Sequence, residues 1–208
     1  MKTTIYIVRH GQSVGNLKDQ FMGHTDTPLT ELGLQQADMA ADYLKDIHLD
    51  AIYSSDLQRA YNTACATAKL KNMPVTKTQN MREINGGKWE TVEFPKLHEQ
   101  FPEDFGAWCN DFKNCRCTGG ESVLEMQARI VGEVKRIAEE NPGKSVAIFC
   151  HATPIRVFNI HCTGDWNVPY PSNASTTVAE YENGEFKLLQ YSIDHYMGDL
   201  VTALPEDL

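Results

Sequence analysis

Two apolar, strand-forming runs each end directly on a histidine, and no other feature of the chain restricts its fold as strongly. Thr3-Thr4-Ile5-Tyr6-Ile7-Val8 leads into Arg9-His10-Gly11-Gln12-Ser13, and Ser145-Val146-Ala147-Ile148-Phe149-Cys150 leads into His151. Runs without regular polar alternation suit strands buried on both faces, inside a parallel sheet covered by helices. In open sheets of that kind the ligand site lies beyond the carboxyl ends of the strands. Two histidines at two such ends therefore point to one shared pocket.

The rest of the chain alternates strand and helix patterns, as a mainly parallel sheet requires. Thr30 is placed as a helix N-cap, with Leu34, Ala37, Ala41 and Leu44 following at helical spacing. Ala51-Ile52-Tyr53-Ser54 reads as a short strand, and Asp56 as the cap of the next helix, marked by Leu57, Ala60, Tyr61, Ala64 and Ala68. Pro74 to Thr78 is a third strand. Val123, Met126, Ile130, Val134 and Ile137 mark a long helix from Glu121 that Asn141-Pro142-Gly143 ends. A further helix follows His151. Two tail strands, 176–181 and 186–191, are joined by the hairpin signal Glu182-Asn183-Gly184-Glu185. Residues 91–120 lose this periodicity and hold Pro95, Pro102, Trp108 and three cysteines. They read as a mainly helical insertion, a cap over the pocket, within one domain spanning 1–208.

The 208 residues carry a formal net charge of −9, which argues against nucleic-acid and anionic-membrane partners. No apolar run approaches the roughly 18 residues of a membrane span. Met1-Lys2-Thr3-Thr4 has no signal-peptide pattern, so a cytoplasmic location is expected. Cys65, Cys150 and Cys162 read as small buried hydrophobes. Cys109, Cys115 and Cys117 lack zinc-site spacing and read as reduced thiols, so no metal or other cofactor is expected. The exposed tail strands would suit a homodimer.

Arg9, His10, Arg59 and His151 all fall near strand ends. Such a cluster suits a dianion: guanidinium forks match phosphoryl oxygens and helix N-termini add N–H groups. A neutral histidine with one free ring nitrogen can attack phosphorus. Asn16 could donate from its amide or cap a turn. Glu83 is the best-placed carboxylate to protonate a leaving alcohol, unless Arg82 holds it in an ordinary ion pair. His24, between Gly23 and Thr25, stands apart from His48, His98, His161 and His195 by its place in the first loop. Trp89 and Trp108 line a pocket or fill the core, and Gly119-Gly120-Glu121-Ser122 either meets substrate or starts a helix.

Arg9-His10-Gly11-Gln12-Ser13, Asn16 and Asp26-Thr27-Pro28-Leu29-Thr30-Glu31-Leu32-Gly33 resemble the N-terminal signature of the histidine phosphatase superfamily, in its phosphoglycerate-mutase-like branch. Ser54-Ser55-Asp56-Leu57-Gln58-Arg59-Ala60, Arg82-Glu83 through Trp89-Glu90, and His151 with Ile155-Arg156 resemble the later blocks, in order. The resemblance implies a three-layer α/β/α sandwich around a mostly parallel sheet with one antiparallel strand. It implies His10 as the phosphorylated nucleophile and Glu83 as proton donor. Arg9, Arg59 and His151 would clamp the phosphoryl group, with Asn16, Met22, Gly23 and Ala152 as further contacts, and no metal would be required. Two departures stand out. Ala152 replaces the glycine common after the second histidine, and Thr91 replaces the glycine of Trp-Glu-Gly, so the backbone at both points is expected to differ.

The implied activity is hydrolysis of a small phosphorylated metabolite through a covalent phosphohistidine. A phosphoglycerate mutase would use the same intermediate, but only about 35 residues separate Glu83 from Glu121, short for a segment that encloses the substrate against water. A catalytically inactive phospho-ligand binding module and a zinc hydrolase built on His10 and His151 are the remaining alternatives.

Overall fold

The computed structural model describes residues 1–204. Strands β1 (Thr3–Arg9), β2 (Ala51–Ser55), β3 (Val75–Thr78), β4 (Ser145–Cys150), β5 (Thr176–Glu182) and β6 (Glu185–Ile193) form one sheet in the order β3-β2-β4-β1-β5-β6. Pairing is parallel for β1 with β4, β4 with β2 and β2 with β3. Only β5 runs the other way, antiparallel to both of its neighbours. The expected sheet, mostly parallel with one antiparallel strand, is the observed one.

The strands alternate their side chains between two cores. Ile5, Ile7, Val146 and Ile148 pack with Ile130, Val134 and Ile137 of α6 (Val123–Glu140) and Ile155 and Phe158 of α7 (Ala152–Thr163). Val8, Ile52, Ala147 and Phe149 pack on the opposite face with Ala40 and Leu44 of α2 (Glu31–Leu44) and Ala64 and Ala68 of α3 (Gln58–Lys71). Burial on both faces explains why β1 and β4 read as continuous apolar runs. Short α1 (Val14–Leu17) follows β1. The segment read as an insertion carries α4 (Phe94–Gln100) and α5 (Pro102–Asn110), each with proline in its first turn.

Most local signals behave as their chemistry requires. Thr30 Oγ1 accepts from Gly33 N at the start of α2, and Ser122 with Glu125 forms a capping box at α6. Asn183 and Gly184 take φ of 54° and 89° at the β5–β6 hairpin, as a two-residue primed turn needs. One cap reading is corrected. Asp56 does not cap α3; it holds Arg82 in a two-pronged ion pair at 2.7 and 2.6 Å. The N-terminal amide of α3, Gln58 N, donates instead to the carboxylate of Asp26, far away in sequence.

The two departures from the family pattern resolve differently. Ala152 opens α7 and is absent from the residues with positive φ, so a glycine is not needed there. Thr91 takes φ +69°, the left-handed region that suits glycine and disfavours a β-branched side chain. The backbone is held there by Thr91 N donating to Phe21 O (2.7 Å) and by Gln20 Nε2 donating to Thr91 O (2.9 Å). Thr91→Gly removes that strain while loosening the unfolded chain, for a net gain of about 0.5–1 kcal/mol. Thermal or urea denaturation checks this; a less stable variant would show that the threonine side chain contributes more than its strain costs.

Candidate active site

The site is assembled by strand register. Arg9 of β1 pairs with Cys150 of β4, and His10 N donates to Cys150 O at 3.0 Å. The next residues on the two parallel strands, His10 and His151, therefore emerge side by side. Their ring centroids lie 5.1 Å apart, edge to face. Ser54 of β2 pairs with Phe149 of β4, so Ser55 stands level with Cys150, within side-chain reach of His151. The two rings lie together, but only His10 lines the cleft; His151 is fully buried beside it.

The protonation pattern follows from the hydrogen bonds. His10 Nδ1 lies 2.7 Å from Gly11 O. A carbonyl only accepts, so Nδ1 carries the proton and Nε2 keeps its lone pair. His151 Nε2 meets Ser55 Oγ at 2.8 Å. Leu57 N donates to the same Ser55 oxygen. The arrangement that uses every group has the Ser55 hydroxyl donate to Nε2 and places the imidazole proton on His151 Nδ1, a buried atom without a partner among the described residues. Burial, then Arg59 and Arg9, holds His10 well below the usual imidazole range. Burial, Arg59, His10 and Arg9 do the same to His151. Both rings are neutral at neutral pH.

The positive charge comes from two buried guanidiniums. Arg9 and Arg59 are each only 1% exposed. Among the described residues, neither has a carboxylate within hydrogen-bond distance. Arg9 Nη1 donates to Pro171 O (2.6 Å), while Arg59 donates to Thr25 O (2.9 Å) and Gly23 O (2.8 Å). Asp26 stands 3.9 Å from Arg59. Burial lowers Arg9 to about 10, still far above neutrality, so its charge persists. Arg9 Nε is buried without a hydrogen-bond partner among the described residues, a donor whose desolvation those residues leave unrepaid.

Arg9, His10, Asn16, Met22, Gly23, Arg59, Glu83 and Ala152 line one cleft. His151 lies just behind His10 and does not itself line that space. Asn16 Oδ1 accepts from Ser13 N and Oγ, both at 3.0 Å, which leaves the amide NH₂ as the donating end. Glu83 is not paired with Arg82, whose partner is Asp56; its carboxylate accepts from Ile84 N (2.8 Å) and Thr153 N (3.3 Å). His24 Nε2 meets Glu83 O at 2.9 Å, giving that loop histidine a supporting place. Trp89 fills the core and donates to Thr118 Oγ1, whereas Trp108 lines the cleft. Gly119-Gly120-Glu121-Ser122 does not line it and precedes α6.

Several residues went unforeseen. Glu90 accepts from His24 N, Thr25 N and Thr25 Oγ1, fixing the loop whose carbonyls hold Arg59. Asn173 Nδ2 donates to His10 O (3.1 Å) and reaches Asn16 Oδ1 (3.4 Å). Gln20, Phe21, Phe94, Tyr170 and Leu204 also line the cleft. Gly11 matters through packing. Its φ is not positive; a Cβ there would sit 2.3 Å from Gly33 O, so the glycine lets the loop press against α2. Among the described residues no group of three His, Cys, Asp or Glu is placed to hold a metal, and no helix is long and apolar enough to cross a membrane. Cys115 and Cys117 are buried, and burial pushes the Cys115 thiol up to about 12.

The sequence model of the histidine phosphatase superfamily (branch 1) matches residues 5–194. Phosphoserine phosphatase 1 of Hydrogenobacter thermophilus is 30% identical over 200 residues, 94% of each chain. Adenosylcobalamin/alpha-ribazole phosphatase of Escherichia coli is 28% identical over 147 residues, 71% of this chain and 72% of that one. Among solved structures, Bacillus stearothermophilus YhfR superposes with a TM-score of 0.87 at 26% identity, covering 94% of this chain and 99% of its own.

The neutral histidines give stability a definite pH dependence. A folded-state pKa held below that of the unfolded chain means that unfolding takes up protons, so stability falls as pH drops below about 6.5. Each ring contributes up to about 1.4 kcal/mol per pH unit in that window. Urea unfolding between pH 6.5 and 5.0, above the range of ordinary carboxylates, should show this slope. His151→Asn should lower it by about one proton's worth; an unchanged slope would mean that the ring is not held neutral.

Proposed function

The chain belongs to the histidine phosphatase superfamily, branch 1, and we propose that it hydrolyses a small phosphomonoester through a phosphohistidine on His10. The observation that carries this reading is the His10 ring itself: Nδ1 is tied to Gly11 O, and Nε2 is left free at a cleft lined by two guanidiniums. The relatives named above are phosphatases, and the substrates in their names are small phosphorylated molecules.

In the proposed reaction Nε2 of His10 attacks phosphorus as the ester P–O bond breaks. The alkoxide leaving on the opposite side takes a proton from Glu83, whose carboxyl group the Ile84 and Thr153 amides hold at the cleft wall. Arg9, Arg59, the Asn16 amide and the α7 N-terminus at Ala152 balance charge on the equatorial oxygens, and His151 supports them through its Nδ1 proton. Water then attacks the phosphohistidine, gives its proton back to Glu83, and breaks the P–N bond to release inorganic phosphate. No step transfers the phosphoryl group to a second hydroxyl; the capping segment holds only two short helices, α4 and α5, which supports water as the acceptor.

Rapid quenching at alkaline pH during turnover should trap an acid-labile phosphoenzyme, absent in His10→Ala; full turnover by that variant would refute the nucleophile. Glu83→Gln should slow an alkyl phosphate by roughly 10²–10³-fold and p-nitrophenyl phosphate far less, because a phenolate with a low pKa leaves unaided. Equal losses on both substrates would remove Glu83 from the acid role.

A further inference from the structure

We propose that the alcohol released at this site is uncharged and carries an aromatic or bulky apolar group, and that an amino-acid phosphate is a poor substrate; the inference rests on the hydrolase reading above. Beyond the anion cradle the cleft is walled by Phe21, Met22, Phe94, Trp108, Tyr170 and Leu204. Phe21 meets Trp108 and Phe94 edge to face at 5.4 and 5.9 Å. Phe21 and Trp108 are buried within the apolar core, so their side of the wall is preformed.

Among the described residues, the charged ones that line the cleft are Arg9, Arg59 and Glu83. The two guanidiniums face the phosphoryl group, and Glu83 serves the ester oxygen. Arg156 is the nearby cation outside the cradle, and it does not line the cleft. Its guanidinium lies between the rings of Phe112 and Tyr170, 4.2 and 4.4 Å from their centroids, with Nε donated to Val168 O. An O-phosphoserine molecule would bring a carboxylate and an ammonium group close to the ester oxygen. Among the described lining residues neither charge finds a dedicated partner, and desolvating an unpaired charge is costly. A phenyl group gains instead from apolar burial and from further edge contacts with the wall. Gln20 and the Tyr170 hydroxyl can accommodate a neutral polar substituent.

The test compares kcat/KM for 2-phenylethyl phosphate, ethyl phosphate and O-phosphoserine. All three release primary alcohols, so the phenyl and ethyl esters in particular make the same demand on the proton donor. The phenylethyl ester should exceed the ethyl ester by at least about tenfold, from burial of the ring. O-Phosphoserine should fall below the ethyl ester. Trp108→Ala should bring the phenylethyl-to-ethyl ratio to within about threefold. Because Trp108 is buried, Phe94→Ser at the half-buried rim provides the same reading if the first variant does not fold. A ratio near one in the unmodified enzyme, or O-phosphoserine ahead of both esters, overturns the inference and leaves the hydrolase reading intact. No turnover of any ester, with no phosphohistidine trapped, overturns the hydrolase reading itself.

Discussion

Two guanidiniums buried against backbone carbonyls are the constraint around which the rest of this structure is arranged. A buried cation is tolerated when a carboxylate neutralises it, and here none among the described residues is within hydrogen-bond distance. Carbonyl dipoles hold Arg9 and Arg59 in place without cancelling their charge. The positive field survives inside a chain of net charge −9, and it acts in a protein interior where the low dielectric strengthens it. The same field, with burial, keeps both imidazoles neutral. Burial first, and then the same two charges, leave His10 neutral with its lone pair retained.

Holding a guanidinium on carbonyls requires a loop that stays put. The Arg59 acceptors are Gly23 O and Thr25 O, and the loop carrying them is fastened by the Glu90 carboxylate through the amides of His24 and Thr25. Asp26 closes the loop onto the first amide of α3, the helix that carries Arg59. Glu90 therefore serves the arginine through backbone groups, and Asp26 does so through Gln58 N while also standing 3.9 Å from the guanidinium. Asn173 does the corresponding work at His10, joining its carbonyl to Asn16 across 163 and 157 residues of sequence. The geometry of the proposed site depends on these joints as much as on the groups proposed to react.

The sequence showed the strand-end residues that the structure brings together and concealed the joints, for a physical reason. Strand burial and strand-end position leave a periodic trace, so β1 and β4, with His10 and His151 at their ends, could be read directly, as could α2, α6 and the β5–β6 hairpin. A capping interaction between neighbours is legible too, as at Thr30. Asp26 and Asp56 show where this stops. Asp56 has the right residue type one position before Leu57, yet its carboxylate goes to Arg82, and the cap arrives from residue 26. Glu90 and Asn173 act on backbone atoms far away in sequence, and a hydrogen bond to a distant amide leaves no periodicity. Tyr170 and Leu204 reach the cleft from loops whose paths no local pattern fixes.

The cradle and the leaving-group wall come from different parts of the chain, and that separation has a consequence. Arg9, His10, Arg59 and His151 sit at the ends of the central strands or in the helix beginning just after one, locked by register and by two apolar cores. Phe94 and Trp108 come from α4 and α5, which sit in the aperiodic stretch between the third strand and α6. A change in the wall leaves strand register untouched, whereas a change beside His10 alters the sheet that supports everything else. Thr91 lies where the two parts meet, its amide on Phe21 O and its carbonyl on Gln20 Nε2, both belonging to cleft-lining residues. The strained left-handed backbone there is the join through which the capping helices are held to the first loop. Backbone strain persists only where surrounding contacts over-determine it, and at Thr91 those contacts are the ones that set the wall against the cradle.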